Sequence, residues 1–171
     1  MRILAVIGFL TIVTGVAGLA YFFGGFYNVA ALEPDNKIVA WALGHVREAS
    51  IEMRAPNTAP LALDDPAIIQ AGARAFAKRG CVTCHGAPGA DRAKFSEGMR
   101  PDPADLEKVA KTQSAGEIFW VVKNGINMTG MPSFARIKAE DREIWTIAAF
   151  VKKLPAISPE DYNMWSGATS P

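Results

Sequence analysis

Hydrophobic and polar positions divide this chain sharply. From Ile3 to Phe26 the sequence ILAVIGFLTIVTGVAGLAYFFGGF runs for 24 residues without a charge, enough for one helix to cross the ~30 Å hydrocarbon layer with some tilt. A cleavable leader is the competing reading, but its apolar stretch is usually only ~7–15 residues behind a positive region. Arg2 is the sole positive residue here, and VAA at 29–31 offers a cleavage sequence. The long run favours a retained anchor. Tyr21, Phe22, Phe23, Phe26 and Tyr27 gather at its far end, where aromatic rings sit well between lipid and water. Thr11 with Gly15 and Thr14 with Gly18 place small residues at fourfold spacing, which would let a second membrane helix approach.

The next pattern is helical and two-faced. Pro34 and Asp35 can open a helix whose residues Ile38, Val39, Trp41, Ala42, Val46 and Ala49 fall roughly on one side, ending near Arg54. Such a helix suits a membrane surface or a partner subunit. APNTAPLALDDP, with three prolines, then reads as a linker. From Asp64 or Asp65 a capped helix runs through IIQAGARAFAKR, with Pro66 in its first turn and Gly80 stopping it. A glycine- and proline-rich stretch fills 86–103. Two shorter helices follow around ADLEKVAK and SAGEIFWVVKNG, then a turn, NMTGMPSF. The last strong element is KAEDREIWTIAAFVKKL, with Ile144, Ile147, Ala148, Val151 and Leu154 on one face and Pro155 ending it. No strand-like alternation of convincing length competes. The expected fold class is all-α, one transmembrane helix preceding a small helical domain whose short helices leave room for something other than side chains at the centre.

Charge narrows the function. Apart from Arg2, every charged residue lies from Glu33 onward, where seventeen Lys and Arg face seventeen Asp and Glu. A near-neutral polypeptide without basic runs interleaved with aromatics gives no support to nucleic-acid binding. Lys78, Arg79, Arg92, Lys94 and Lys123 lie in or near the segments expected around the candidate site, where a basic rim would steer toward an acidic partner face; a solvated surface is the plainer account.

The candidate chemistry sits in AFAKRGCVTCHGAPG, which holds both cysteines and one of the two histidines. A thioredoxin-like dithiol needs only Cys81 and Cys84, but normally where a strand meets a helix. A structural zinc site needs further ligands, and only His45 is left among soft ones. The pattern C-x-x-C-H is that of covalent haem attachment, with two thioethers from Cys81 and Cys84 and iron coordination by His85. Met131 is the favoured ligand for the opposite face of the iron, because Gly130 and Pro132 keep its backbone non-helical. Met128 is its rival; Met99 could reach the same pocket, and His45 is a remote alternative. No carboxylate pair, activated nucleophile or phosphate loop stands near the motif, so no enzymatic chemistry is expected.

AFAKRGCVTCHG and GMPSF, separated by two helices and closed by a terminal helix, resemble class I cytochrome c, the small monohaem electron-transfer proteins, over about residues 65–155. The resemblance implies one haem c per chain, His85 and Met131 as axial ligands, and a crossing of Gly72 and Phe76 with Ile147 and Phe150. It also implies that the Pro88 carbonyl orients the His85 ring. The corresponding organisation is an anchor with interfacial residues at 1–32, an amphipathic helix and linker at 33–64, a cytochrome c domain at 65–155 and a tail at 156–171. Proteins of this kind acquire haem outside the bacterial inner membrane, which implies a single-pass inner-membrane protein with its haem domain in the periplasm. The implied function is one-electron transfer between membrane-bound donor and acceptor complexes. A permanent haem c subunit of a membrane dehydrogenase or oxidase complex is the alternative, and haem-based catalysis or ligand sensing a third.

Overall fold

The computed structural model describes residues 2–167. Its residues divide into two units, one up to Pro34 and one from Asp35 onward. In the first, helix α1 (Arg2–Phe23) has no buried residue and matches the expected apolar span. Its two threonines are satisfied internally: Thr11 Oγ1 donates to the Ile7 carbonyl at 2.9 Å and Thr14 Oγ1 to that of Leu10 at 2.8 Å. Hydroxyls closed onto their own helix can enter hydrocarbon without an unmet hydrogen bond. Past the helix, Tyr27 folds back onto Tyr21 and Phe22, with centroid separations of 6.3 and 5.2 Å.

The second unit is all-α; among the described residues the sole strand-like feature is an isolated bridge between Ala87 and Ala90. Helix α2 (Lys37–Arg54) starts one residue later than the Pro34–Asp35 signal suggested, because the Asn36 side chain accepts from the Ile38 and Val39 N–H groups. Helix α3 (Pro66–Lys78) begins where expected: Asp65 accepts from Ala67 N–H at 2.8 Å and Pro66 occupies the first turn. Helix α4 (Cys81–His85) is a single turn, followed after a long loop by α5 (Leu106–Thr112), α6 (Ala115–Asn124) and α7 (Asp141–Lys153). Ser114 and Glu117 close the start of α6 reciprocally, Ser114 N–H donating to Glu117 Oε2 at 2.7 Å and Glu117 N–H to Ser114 Oγ at 3.2 Å.

The core forms where α3 crosses α7. Gly72 is the point of approach: a Cβ there would run into the Thr146 carbonyl and sit 2.7 Å from Phe150 Cβ. Phe76 then meets Phe150 at 5.2 Å between ring centroids, and Ile144, Ile147, Ala148 and Val151 are buried along the same face of α7. Each large apolar side chain so buried stabilises the fold by about 2 kcal/mol. Phe119 of α6 stacks on Trp145 at 4.2 Å and 13°. The Lys152 ammonium spans from α7 to the end of α5, donating to the carbonyls of Ala110 and Gln113, where it meets the negative end of the helix dipole.

The segment after Pro155, expected as a tail, carries helix α8 (Pro159–Ser166), and Met164 lies within it. Ser158 caps it, accepting from Asp161 N–H at 3.0 Å. Tyr162 is buried, its ring 5.8 Å from that of Phe150, and Pro159 packs on Gly89. The weak periodicity of this short helix hid it in the sequence; Tyr162, Pro159 and the partly buried Trp165 dock it.

Candidate haem-attachment site

Arg79 ends α3, and Gly80 adopts φ 75° and ψ 17°, a left-handed conformation that glycine reaches without penalty. The chain therefore breaks after α3 and restarts as α4. Within that turn Cys81, Cys84 and His85 stand at i, i+3 and i+4, so the three side chains share one helix face. Gly86, at φ 70°, stops the turn. Just upstream, the Arg79 guanidinium clasps Glu143 of α7 through Nε–Oε1 at 2.9 Å and Nη2–Oε2 at 2.6 Å. That fork fixes the start of the motif to the last core helix.

His85 Nδ1 donates to the Ala104 carbonyl at 2.9 Å. This corrects the expectation that Pro88 would orient the ring. The chain from Ala87 to Ala90 turns back on itself, and the loop just before α5 supplies the acceptor. Arg92 holds that loop by its 3.0 Å pair with Asp102. A carbonyl acceptor puts the proton on Nδ1 and leaves the Nε2 lone pair available to a metal. Behind the histidine, a cavity of about 670 Å³ opens among Cys84, Ala87, Arg92, Ala104, Leu106 and Leu154.

Burial pushes the Cys81 thiol up to about 12, so as a free thiol it is a poor nucleophile. Burial also holds His85 below its usual value, against the opposing effect of the Ala104 carbonyl, so the imidazole is kept neutral, the form that ligates. Among the described residues no group of three or more His, Cys, Asp or Glu side chains is arranged to hold a bare metal ion. His45 lies on exposed α2, its Nδ1 bonded to the Trp41 carbonyl at 3.0 Å and its ring 4.5 Å from the indole. A neutral histidine with one nitrogen fixed, next to two cysteines on the same face, fits covalent haem; Cys81 and Cys84 are compatible with haem c attachment.

The methionine loop is built with comparable care. Gly125 (φ 69°) ends α6, and a Cβ on it would lie 2.7 Å from the Pro132 and Ser133 backbone. Thr129 Oγ1 donates to the Ile126 carbonyl at 2.8 Å and accepts from Met131 N–H at 3.1 Å, while Ile126 N–H reaches the Met131 carbonyl at 3.1 Å. Ser133 Oγ ties the loop to the Lys123 carbonyl at 2.8 Å. Met131 is partly buried against the core, whereas Met128 is 92% exposed. Met99 packs its methyl on Gly130, in the space a Cβ there would need, so two thioethers flank this turn. The roles of Ala104, Gly125 and Thr129 were not visible in the sequence; a backbone carbonyl carries no side-chain signature, and only the Gly-rich spacing around Met131 hinted at the tight turn.

The basic rim is largely neutralised within the chain: Arg79 pairs with Glu143, Arg92 with Asp102, Lys94 with Glu97 and Lys123 with Asp141. Such pairing leaves little net field for steering.

No curated protein and no solved structure matches the chain significantly. Residues 67–151, just under half of the chain, match the family model described as "Cytochrome C oxidase, cbb3-type, subunit III", and this match, taken with the apolar helix α1, links the protein to the membrane-associated cytochromes c.

Proposed function

We propose that this protein is a membrane-anchored, haem-c-bearing electron-transfer subunit of a respiratory complex. The observation that carries the reading is the single-turn α4, with Cys81, Cys84 and His85 on one face and His85 Nδ1 held by Ala104. In this reading Cys81 and Cys84 would hold one haem per chain through thioethers, and His85 and Met131 would bind its iron. Bound there, the haem supplies reversible one-electron chemistry. The chain's own residues hold the imidazole in its neutral tautomer through Ala104, anchor the motif to α7 through Arg79 and Glu143, and fix the Met131 backbone through Thr129. The domain carries electrons and catalyses no reaction of its own. The apolar helix α1 and the similarity to an oxidase subunit family support a single-pass protein of the bacterial inner membrane with this domain on the periplasmic side.

Between a permanent subunit and a freely shuttling carrier, the similarity of residues 67–151 to an oxidase subunit family favours the subunit. Neutralisation of the basic rim points the same way, because a carrier that must find successive partners gains most from a steering field. The test is purification of the full-length chain from its native membrane in mild detergent. Co-isolation with oxidoreductase subunits, and haem that stays with the denatured chain, is the expected result. Isolation as a lone chain, with donor turnover unaffected by removal of residues 1–34, would return the carrier reading; a denatured chain free of haem would remove both.

A further inference from the structure

Helix α2 has two faces, and the domain uses the less apolar one. At 100° per residue, Ile51 lies opposite the stripe formed by Ile38, Trp41, His45, Val46, Ala49 and Met53. Ile51 is the sole buried residue of α2, and Pro56 just beyond it packs on Gly116 at the start of α6. The stripe is left uncovered: Ile38 is 75%, Trp41 63%, Val46 66% and Met53 80% exposed. Four large apolar side chains aligned on one helix face are a contact surface rather than scattered surface hydrophobics.

We infer that this stripe lies in the membrane interface, so that α2 is a second, in-plane membrane contact of the protein. Its tether argues for lipid as the occupant. Only residues 24–36 separate α1 from α2, a reach of at most about 45 Å when fully extended, which leaves the bilayer surface that α1 would enter within range of α2. Glu52 is the one charged residue within the arc of the stripe, within one turn of its C-terminal end where its carboxylate can reach the headgroups, and the indole of Trp41 is the side chain best suited to the boundary between headgroups and acyl chains. Asn36 fixes the start of α2, and the His45 bond to the Trp41 carbonyl holds the two rings together on the same face. Lys37, Arg47 and Arg54 are nearly balanced by Glu48 and Glu52 within the helix, so burial of apolar area drives the contact and anionic lipid is not required. Two points of attachment, one across and one along the membrane, would hold the domain at a set height, which a subunit feeding one fixed acceptor needs and a flexible tether does not provide. The inference rests on α1 as a span and stands whether or not haem is bound.

Hydroxyl-radical footprinting of the full-length chain in phosphatidylcholine nanodiscs holding one copy each tests it. Trp41 and Met53 are readily oxidised reporters on the stripe, and exposed Met128 is the internal control. The expected result is severalfold slower oxidation of Trp41 and Met53 than of Met128, with the protection lost in Ile38→Glu/Val46→Glu while the chain stays in the disc. Oxidation of all three at similar rates would overturn the inference. Protection seen only in the native complex would also overturn it and assign the stripe to a protein groove. A chain that fails to enter the disc removes the span on which the inference depends and equally defeats it.

Discussion

Gly72 packs directly on the Thr146 backbone, so that α3 and α7 touch with no side chain between them at the crossing. An exposed helical glycine replaced by alanine normally gains ~1 kcal/mol. Here the sign is reversed. Gly72→Ala is expected to destabilise the domain by about 3 kcal/mol, since both the Thr146 carbonyl and Phe150 must shift. Denaturant unfolding of the holoprotein measures it, and a neutral or stabilising effect would show that the crossing relaxes freely.

The Arg79–Glu143 fork gives the domain an acid-side dependence. Its hydrogen bond from Arg79 holds the Glu143 carboxyl below the usual range. A carboxylate with a depressed folded value contributes stability that is fully present above its unfolded pKa of ~4.3 and is lost as pH falls through the lower folded value. Stability of the wild type is therefore expected to drop more steeply below pH ~4 than that of Glu143→Gln. Thermal unfolding across that window decides the point; parallel curves would mean the pair contributes nothing, as many partly exposed pairs do.

Attachment and sixth ligation use different residues in the proposed site. In Met131→Ala the haem is expected to stay covalently bound while the low-spin spectrum is lost and the potential falls, since a thioether favours the reduced iron. Optical spectra and redox titration read both. A low-spin spectrum at unchanged potential would remove Met131 as ligand. Because Met99 rests on Gly130, Met99→Leu/Met131→Ala then tells whether the neighbouring thioether supplies the ligand.

Tyr162 tests whether α8 belongs to the domain. Tyr162→Ala is expected to cost about 3 kcal/mol by opening a cavity against Phe150, while Tyr162→Phe, which keeps the ring, costs about 1 kcal/mol or less. Both are measured by chemical denaturation. Equal, small effects would return residues 159–166 to the status of a tail.

The sequence alone determined the features whose signal is local. A charge-free run produces α1 because every backbone group must be satisfied within the segment when side chains face lipid. Asp65 and Pro66 start α3, Gly80 ends it, and the three- and four-residue spacing of Cys81, Cys84 and His85 makes them one unit whatever surrounds them. The Gly72–Phe76 and Ile147–Phe150 crossing was an expectation carried only by the resemblance to class I cytochrome c; the structure supplies its reason, since only glycine permits so close an approach to the Thr146 backbone.

Tertiary structure decided what depends on which segments meet. The acceptor for His85 is the carbonyl of Ala104 rather than Pro88, because a main-chain oxygen is common to every residue and only the path of the loop, held by Arg92 and Asp102, selects one. Three of the expected rim cations, Arg79, Arg92 and Lys123, found carboxylates well away along the chain, a pairing no charge count reveals: Glu143 lies 64 positions from Arg79. Helix α8 was hidden because it docks through a few separate contacts, Tyr162 on Phe150, Pro159 on Gly89 and Trp165 against the core, and not through a repeating face. For α2 the periodicity displayed an apolar stripe, but which side the domain covers was settled by Ile51 alone, the residue that packing, and not pattern, placed inside.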